Sequence, residues 1–267
     1  MEPSNQDSLT SQSTESDIEL PALTLLEQGC IELGCPLTAQ QIRQFAQFYL
    51  ELITWNQKFN LTAITELADV QTKHFLDSLA GLPLLVEELG ETMPPTRPLH
   101  GVDIGTGAGL PGVPLKIVAP RLKWTLIDGT GKKIVFLKQL LTKLALTNVA
   151  VVQGRAEELG RQTDYRGQFD IVTARAVAPL DTLAEYLLPL ARVNGLVMIY
   201  KGGSAPQEFI NARKAIDTLG GETVRMAPVQ VPFLEEQRYI LLVRKVRPTP
   251  PTYPRGQGLA RKKPLGA

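Results

Sequence analysis

A glycine-rich loop after a short apolar segment constrains the fold of this chain more than any other feature. Val102–Ile104 reads as a buried strand, glycines follow at positions 105, 107, 109 and 112, and a helix-compatible run extends to Ala119. A strand, a glycine loop and a helix in this order allow backbone N–H groups and a helix N-terminus to approach a ligand closely. The loop alone leaves the ligand open, and a tight turn without a ligand remains the alternative.

Alternating strand and helix patterns on the C-terminal side of this loop predict an α/β fold. Strands are expected at 100–104, 123–128, 149–153, 169–174 and 195–201, and helices at 111–119, 131–145, 156–160, 180–192 and 206–219. Such alternation is typical of a parallel sheet with right-handed crossovers. Two further strands, 222–228 and 238–246, are expected to form an antiparallel pair at one sheet edge.

The segments outside this region differ in composition, which predicts four parts. Residues 1–20 are acidic, polar and free of Lys and Arg, so a disordered head is expected. Helical periodicity over 21–97 predicts an N-terminal helical cap, with Thr38 and Gln41 as a capping box. The α/β region spans 98–246, and 247–267 is expected to be a mobile, basic, proline-rich tail.

Global composition excludes several classes of protein. The formal net charge of the 267 residues is +1, and hydrophobic residues make up 43%, as in ordinary soluble domains. Cys30 and Cys35 are too few for a disulfide framework or a metal site, so reduced thiols and no metal are expected. No apolar run reaches the ~18 residues of a membrane span, and no signal peptide is visible, so a cytoplasmic location is expected.

Polar and charged residues follow each predicted strand, and in an open α/β sheet these strand ends form the ligand site. Asp103 and Gly105 belong to the first strand and its loop, and Asp128 ends the second, 21 residues after Gly107. That offset is near the ~20 residues expected for a ribose-binding acid. The other strand-end candidates are Gly129, Thr130, Ala156, Glu157, Arg175 and Lys201.

Two ligand classes compete for this loop. Gly107-x-Gly109-x-x-Gly112 also fits the fingerprint of dinucleotide-binding oxidoreductases. Asp103 beside the loop would repel the pyrophosphate of such a cofactor. S-adenosylmethionine instead carries an ammonium, a sulfonium and a ribose diol, and two acids suit it better. The residues therefore favour S-adenosylmethionine over NAD.

Several motifs resemble, in this order, the glucose-inhibited-division protein B family, the bacterial small-subunit ribosomal RNA guanine-N7 methyltransferases. The resemblance covers about residues 22–246. Its motifs are Trp55-Asn56 with Phe59-Asn60-Leu61-Thr62, His74-x-x-Asp77-Ser78, Val102–Gly112, Gly131-Lys132-Lys133 with Phe136-Leu137, Arg175-Ala176 and Lys201-Gly202.

The resemblance implies a class I S-adenosylmethionine-dependent methyltransferase, Rossmann-like, whose seven-stranded, mostly parallel sheet has an antiparallel edge strand and carries the helical cap. It implies methyl transfer to a specific guanine of small-subunit (16S) ribosomal RNA. Cofactor contacts are implied at positions matching Gly105, Leu110, Asp128–Thr130, Ala156–Glu157 and Arg175. Gly129 departs from the serine that many members carry, so a side-chain contact there is not expected.

The resemblance also directs attention to basic residues and to the absence of a general base. Guanine N7 is a lone-pair acceptor without a proton, so no catalytic acid–base residue is expected. Lys132, Lys133, Arg175, Lys201 and Arg238 are expected to hold RNA phosphates. The substrate is expected within a ribosomal particle and the protein as a monomer, without a metal or membrane partner. A non-catalytic RNA-binding module is the alternative.

The sequence also predicts the role of a polar cluster on one helix and the effect of three substitutions. His74, Asp77 and Ser78 share one helix, which suggests a hydrolase triad, but a local hydrogen-bond cluster that fixes the helix is favoured. Asp103→Ala and Gly105→Arg are expected to abolish cofactor binding. Arg255→Ala, in the tail, is expected to leave it intact.

Overall fold

A seven-stranded sheet forms the centre of the computed structural model, which describes residues 19–175 and 177–265. The strands are β1 (His100–Ile104), β2 (Lys123–Asp128), β3 (Val149–Gln153), β4 (Phe169–Arg175), β5 (Ala191–Lys201), β6 (Gly221–Val229) and β7 (Arg238–Lys245). Their order is β3-β2-β1-β4-β5-β7-β6. Strands β1 to β5 pair in parallel, and β7 is antiparallel to both of its neighbours, β5 and β6. The expected α/β fold is confirmed, with β7 as the antiparallel strand and β6 at the edge.

Ten helices of the described residues surround the sheet. Four belong to the cap: α1 (Thr24–Glu32), α2 (Ala39–Asn56), α3 (Leu67–Asp69, π-helical Val70–Leu76 and Asp77–Leu79) and α4 (Leu82–Leu89). The others are α5 (Gly112–Val118), α6 (Gly131–Lys143), α7 (Ala156–Leu159), α8 (Leu180–Leu187), α9 (Ala205–Thr218) and α10 (Leu259–Lys262). None of these helices is long and apolar enough to cross a membrane.

The cap and one face of the sheet share a single hydrophobic cluster. Phe45 and Phe75 of the cap belong to the same cluster as Trp124 of β2 and Met198 of β5. The predicted capping box is present, since the Thr38 side chain accepts from the backbone N–H of α2 and Gln41 bonds back to Thr38. The opposite face packs against α7 to α10 in a second cluster. The cap therefore covers the sheet rather than standing apart from it.

The last described segment, residues 247–265, which we call the C-terminal arm, differs from the mobile tail that its composition predicts. Arg255 binds the buried carboxylate of Glu185 through both Nε (3.0 Å) and Nη2 (2.7 Å). The Arg166 guanidinium donates to the carbonyl oxygens of Thr249 (2.8 Å) and Tyr253 (2.7 Å). Arg166 thus donates hydrogen bonds to carbonyl oxygens of the arm, and Arg255 neutralises a buried carboxylate of α8. Together these contacts hold the arm against the rest of the protein. The acidic head expected over 1–20 lies almost entirely outside the described residues.

The boundaries of two other elements also differ from expectation. The helix expected over 180–192 ends at Leu187, and β5 begins at Ala191 rather than at 195. A register shift between Phe169 and Ile171 and a positive φ of 68° at Asn194 accommodate the extra strand residues. Such a bulge is a local event that periodicity over a short window does not reveal.

Candidate active site

The glycine loop after β1 adopts a backbone conformation that requires glycine. Gly105 and Gly107 have φ values of +66° and +60°. A Cβ on Gly105 would also lie 2.8 Å from Cγ2 of Val177. The Gly107 N–H donates to Oδ2 of Asp128 at 3.0 Å, which joins the loop to the end of the neighbouring strand. The loop is therefore shaped by its glycines and held by contacts with Asp128 and Val177.

Asp103 lies behind the loop and is completely buried. Its Oδ2 accepts hydrogen bonds from the Thr106 hydroxyl (2.6 Å) and the Gly112 N–H (2.9 Å), and its Oδ1 accepts from the Thr173 hydroxyl (3.1 Å). Burial raises the pKa of Asp103 to about 6, although these donors and the nearby Arg175 favour the charged form. Asp103 thus holds the loop to β4 through hydrogen bonds and places a buried negative charge beneath the loop.

Asp128 occupies the front of the same loop, at the carboxyl end of β2. Its carboxylate accepts from the backbone N–H of Gly107 and, at 2.8 Å, from that of Thr130, and Nζ of Lys133 lies 3.6 Å away. A carboxylate offers about four lone-pair directions, so acceptor sites remain for a ligand. Asp128 is positioned to bind hydroxyl groups in the cavity before it.

This first cavity has a volume of about 410 Å³ and lies at the carboxyl ends of β1 to β3. It is lined by six residues that the sequence singles out, namely Gly105, Asp128, Gly129, Thr130, Ala156 and Glu157. The other predicted cofactor residues lie around it: Asp103 beneath the loop, Gly107 and Leu110 in the loop, and Arg175 in a neighbouring cavity. The structure thus brings most of the predicted residues to one place.

Part of the first cavity comes from residues that sequence reasoning missed. Gln257, Gly258 and Arg261 of the C-terminal arm line it, as does Tyr186 of α8. The Gly258 N–H donates to Oε1 of Glu157 at 3.3 Å. Only the basic residues of the arm are visible as a sequence signal, and they do not indicate which face of the protein the arm covers.

A second cavity, of about 400 Å³, lies at the carboxyl ends of β4 and β5, where Arg175 and Lys201 line it. Four basic side chains line it: Lys73, Arg175, Lys201 and Arg238. Asp77 lies between two of them, with its Oδ2 2.6 Å from Nη1 of Arg175 and its Oδ1 3.0 Å from Nε of Arg238. This arrangement concentrates positive charge and orients both guanidinium groups.

The predicted RNA contacts Lys201, Lys132 and Lys133 are already engaged within the chain. Lys201 pairs with Glu208 at 2.6 Å and donates to the Ala178 carbonyl at 3.1 Å. The ammonium of Lys132 lies 4.9 Å from the centre of the Phe59 ring, a cation–π contact between α6 and the cap. Lys133 lies beside Asp128. These contacts hold Lys201 at the second cavity and hold Lys132 and Lys133 at a separate pocket that they share with Phe59.

The cluster on α3 has the local structural role that the sequence favoured. Nε2 of His74 lies 2.8 Å from the Thr62 hydroxyl, while the Ser78 hydroxyl donates to the His74 carbonyl rather than to the imidazole. Burial, followed by the charge of Arg175, lowers the pKa of His74 to about 4. Ser78 is completely buried. The geometry does not form a hydrolase triad.

The sheet order and the strand-end cavity define the class of the protein, a Rossmann-like α/β fold with a mostly parallel seven-stranded sheet. A solved SAM-dependent methyltransferase from Aquifex aeolicus superposes with a TM-score of 0.46 at 19% identity, over 63% of this chain and 92% of that chain.

Sequence comparison identifies the family. The family model for GidB, rRNA small subunit methyltransferase G, matches residues 41–240. The ribosomal RNA small subunit methyltransferase G of Alkaliphilus metalliredigens is 41% identical over 90% of this chain and 98% of its own length. The protein of the same name from Roseiflexus castenholzii is 44% identical over 87% and 95%. The chain belongs to the rRNA small subunit methyltransferase G family, as its motifs predicted.

Proposed function

We propose that this protein transfers a methyl group from S-adenosylmethionine to N7 of a guanine in small-subunit (16S) ribosomal RNA. The observation that carries the proposal is the presence of two cavities at the carboxyl ends of the same sheet, one at β1 to β3 and one at β4 and β5. Val177 lines the first cavity, beside Asp128, whereas Arg175 lines the second, beside Lys201 and Arg238. A site with two carboxylates for a cationic donor, Asp128 and Glu157, thus accompanies a site with four basic side chains for a polyanion.

The glycine loop fits S-adenosylmethionine better than a dinucleotide. A dinucleotide site needs free N–H groups to receive a pyrophosphate. Here the N–H of Gly107 is bonded to Asp128 and that of Gly112 to Asp103. Two donors of the fingerprint are therefore occupied by carboxylates of the protein itself, which would also repel a diphosphate.

Each part of S-adenosylmethionine has candidate partners in this chain. Asp128 would accept from the ribose hydroxyls, with Gly129 and Thr130 beside it, and Ala156 and Glu157 would border the adenine. The loop positions Gly105, Gly107 and Leu110 would follow the methionine part, with the buried charge of Asp103 behind it. Arg175 is the cation for the methionine carboxylate. When bound, the cofactor supplies a methyl group activated by a positively charged sulfur.

The chain's own part in the reaction is positioning. Guanine N7 has no proton to lose, so the site needs no general base. His74 is neutral near pH 7 because its pKa is about 4. The second cavity would hold the base and its phosphates through Arg175, Lys201 and Arg238. Lys132 and Lys133, at the start of α6, would contact further RNA phosphates. Alignment of the methyl group with guanine N7 is then the main contribution to the rate acceleration.

The substrate follows from the accessibility of N7. In duplex RNA this atom lies in a deep and narrow groove, so the enzyme requires an exposed or splayed base. A ribosomal particle that presents such a base is therefore proposed as the substrate. We propose a cytoplasmic monomer that needs neither a metal nor a membrane.

The proposal is tested by tritiated-methyl transfer from S-adenosylmethionine to small subunits from cells that lack this protein. Labelled 7-methylguanosine in the digested RNA is expected. If the protein binds the cofactor and RNA but incorporates no label, it is an RNA-binding module. Heat of binding with NAD, and none with S-adenosylmethionine, would favour the oxidoreductase. Gly105→Arg is the inactive control, because both its φ and Val177 exclude a side chain at this position.

A further inference from the structure

The C-terminal arm forms one wall of the first cavity. Gly258 bonds to Glu157, which places the arm on the side of the cavity formed by Ala156 and Glu157, and Gln257 and Arg261 line the same cavity. That side is the one proposed above for the adenosine, so this inference rests on the proposed function. Without the arm, the cavity would open to solvent there.

The contacts of the arm with the cavity are specific rather than incidental. Gly258 has a φ of +76°, and its N–H donates to Oε1 of Glu157. Arg261 donates from Nη2 to the carbonyl of Val177 at 3.0 Å. Val177 is the residue that packs against Gly105 of the glycine loop. Arg261 thus connects the arm to the backbone that borders the cofactor loop.

Three anchors outside the cavity hold the arm in this place. The Arg255–Glu185 ion pair fixes its middle, and Glu185 is 1% exposed. The carbonyl of Ala260 accepts from the buried Thr182 hydroxyl at 3.3 Å, and Nε of Arg161 donates to the Pro254 carbonyl at 2.8 Å. These three contacts fix the position of the arm against the cavity.

We propose that the C-terminal arm is part of the cofactor site, with Arg261 as a binding residue for the adenosine half of S-adenosylmethionine. A guanidinium is planar and packs favourably on a nucleobase, and the bond to Val177 holds this one at the cavity wall. The arm also couples cofactor binding to Arg255, contrary to the expectation that Arg255→Ala leaves binding intact.

Calorimetry with S-adenosylmethionine and S-adenosylhomocysteine tests this inference without any RNA. Arg261→Ala is expected to weaken both ligands about tenfold and by equal factors, because the adenosine is common to them. Lys262→Ala is the matched control: Lys262 is the next residue of α10 and exposed, and its side chain makes no hydrogen bond within the described residues. The affinity of Lys262→Ala for each ligand should stay within twofold of the wild-type value.

Arg255→Ala should also weaken both ligands about tenfold, provided that circular dichroism shows a folded protein. In the wild type, the cofactor should protect the amides of 257–262 from hydrogen exchange. Wild-type affinity in Arg261→Ala, a loss confined to S-adenosylmethionine, or unprotected arm amides would overturn the inference. A wild type that binds neither ligand would instead refute the proposed function.

Discussion

Replacing Asp103 by Asn should stabilise the unliganded protein while weakening its binding of the cofactor. Asp103 is completely buried, and burial raises its pKa to about 6 from an ordinary value of 3.8. Each pKa unit corresponds to about 1.4 kcal/mol. The charged carboxylate therefore lowers the free energy of unfolding at pH 7 by about 3 kcal/mol, a cost that a neutral carboxamide avoids.

The Asn side chain can keep the hydrogen bonds of the carboxylate. Its oxygen can take the place of Oδ2 and accept from Thr106 and Gly112. Its NH₂ group then faces the Thr173 hydroxyl, whose own hydrogen can bond to the Val102 carbonyl at 3.3 Å. The substitution thus removes the charge and leaves no buried polar group without a partner.

The pH dependence distinguishes this effect from a change in packing. Because the folded-state pKa is raised, the contribution of Asp103 to stability is fully present below pH 3.8 and is lost as the pH rises through about 6. Urea unfolding should therefore show Asp103→Asn to be more stable by about 3 kcal/mol at pH 7.5 and by about 1 kcal/mol near pH 4.5. A less stable variant, or a difference that does not depend on pH, would refute the reasoning.

Cofactor binding should change in the opposite direction. The negative charge beneath the loop favours a cationic ligand, so calorimetry should show S-adenosylmethionine binding at least tenfold more weakly to Asp103→Asn. The loss should be smaller for S-adenosylhomocysteine, which has no sulfonium. Equal losses for the two ligands would show that Asp103 acts only by shaping the loop.

Three further variants test the second cavity and the hydrogen-bond cluster on α3. Arg238→Ala should lower methyl transfer to the small subunit at least tenfold while calorimetry shows an unchanged affinity for the cofactor; a parallel loss of cofactor affinity would contradict the division into two sites. Ser78→Ala should retain activity and lose only about 1 kcal/mol of stability, since its hydroxyl bonds the His74 carbonyl; loss of turnover in a stably folded protein would reopen the question of a catalytic serine. His74 has a depressed folded-state pKa of about 4, so its contribution to stability is present above pH 6.5 and is lost as the pH falls towards 4, at about 3 kcal/mol in all. In His74→Asn this part of the melting-temperature profile should flatten, and an unchanged profile would contradict the burial argument.

The sheet and the first cavity were predictable because local patterns determine them. Val102–Ile104 and Lys123–Asp128 are apolar strands bounded by glycine or charge, and their parallel pairing brings Asp103 next to Leu126 in register. Once β1 and β2 are neighbours, their carboxyl ends must meet, and Gly105 must lie near Asp128. The order of these residues in the sequence therefore predicts which of them meet at the first cavity.

The remainder depended on contacts between residues distant in sequence. Arg255 reads as part of a basic tail until Glu185, 70 residues earlier, is seen buried beneath it. Asp77 reads as part of a helix face until Arg175 and Arg238 reach it from β4 and β7. The π-helical turns of α3 leave no pattern in composition either. Such ion pairs depend on tertiary packing, and the hydrophobic periodicity of the sequence does not predict them.

The contrast between Asp103 and Asp128 explains how a loop with a dinucleotide fingerprint comes to suit a cation. Both acids accept a backbone N–H from the loop region, Asp103 from Gly112 and Asp128 from Gly107. Two of the donors that could bind a diphosphate are thereby occupied, and the negative charge beside them belongs to the protein. The glycines set only the backbone geometry, which many ligands can use. We therefore infer that the acid two residues before the loop and the acid 21 residues after Gly107 favour a cationic cofactor over a dinucleotide.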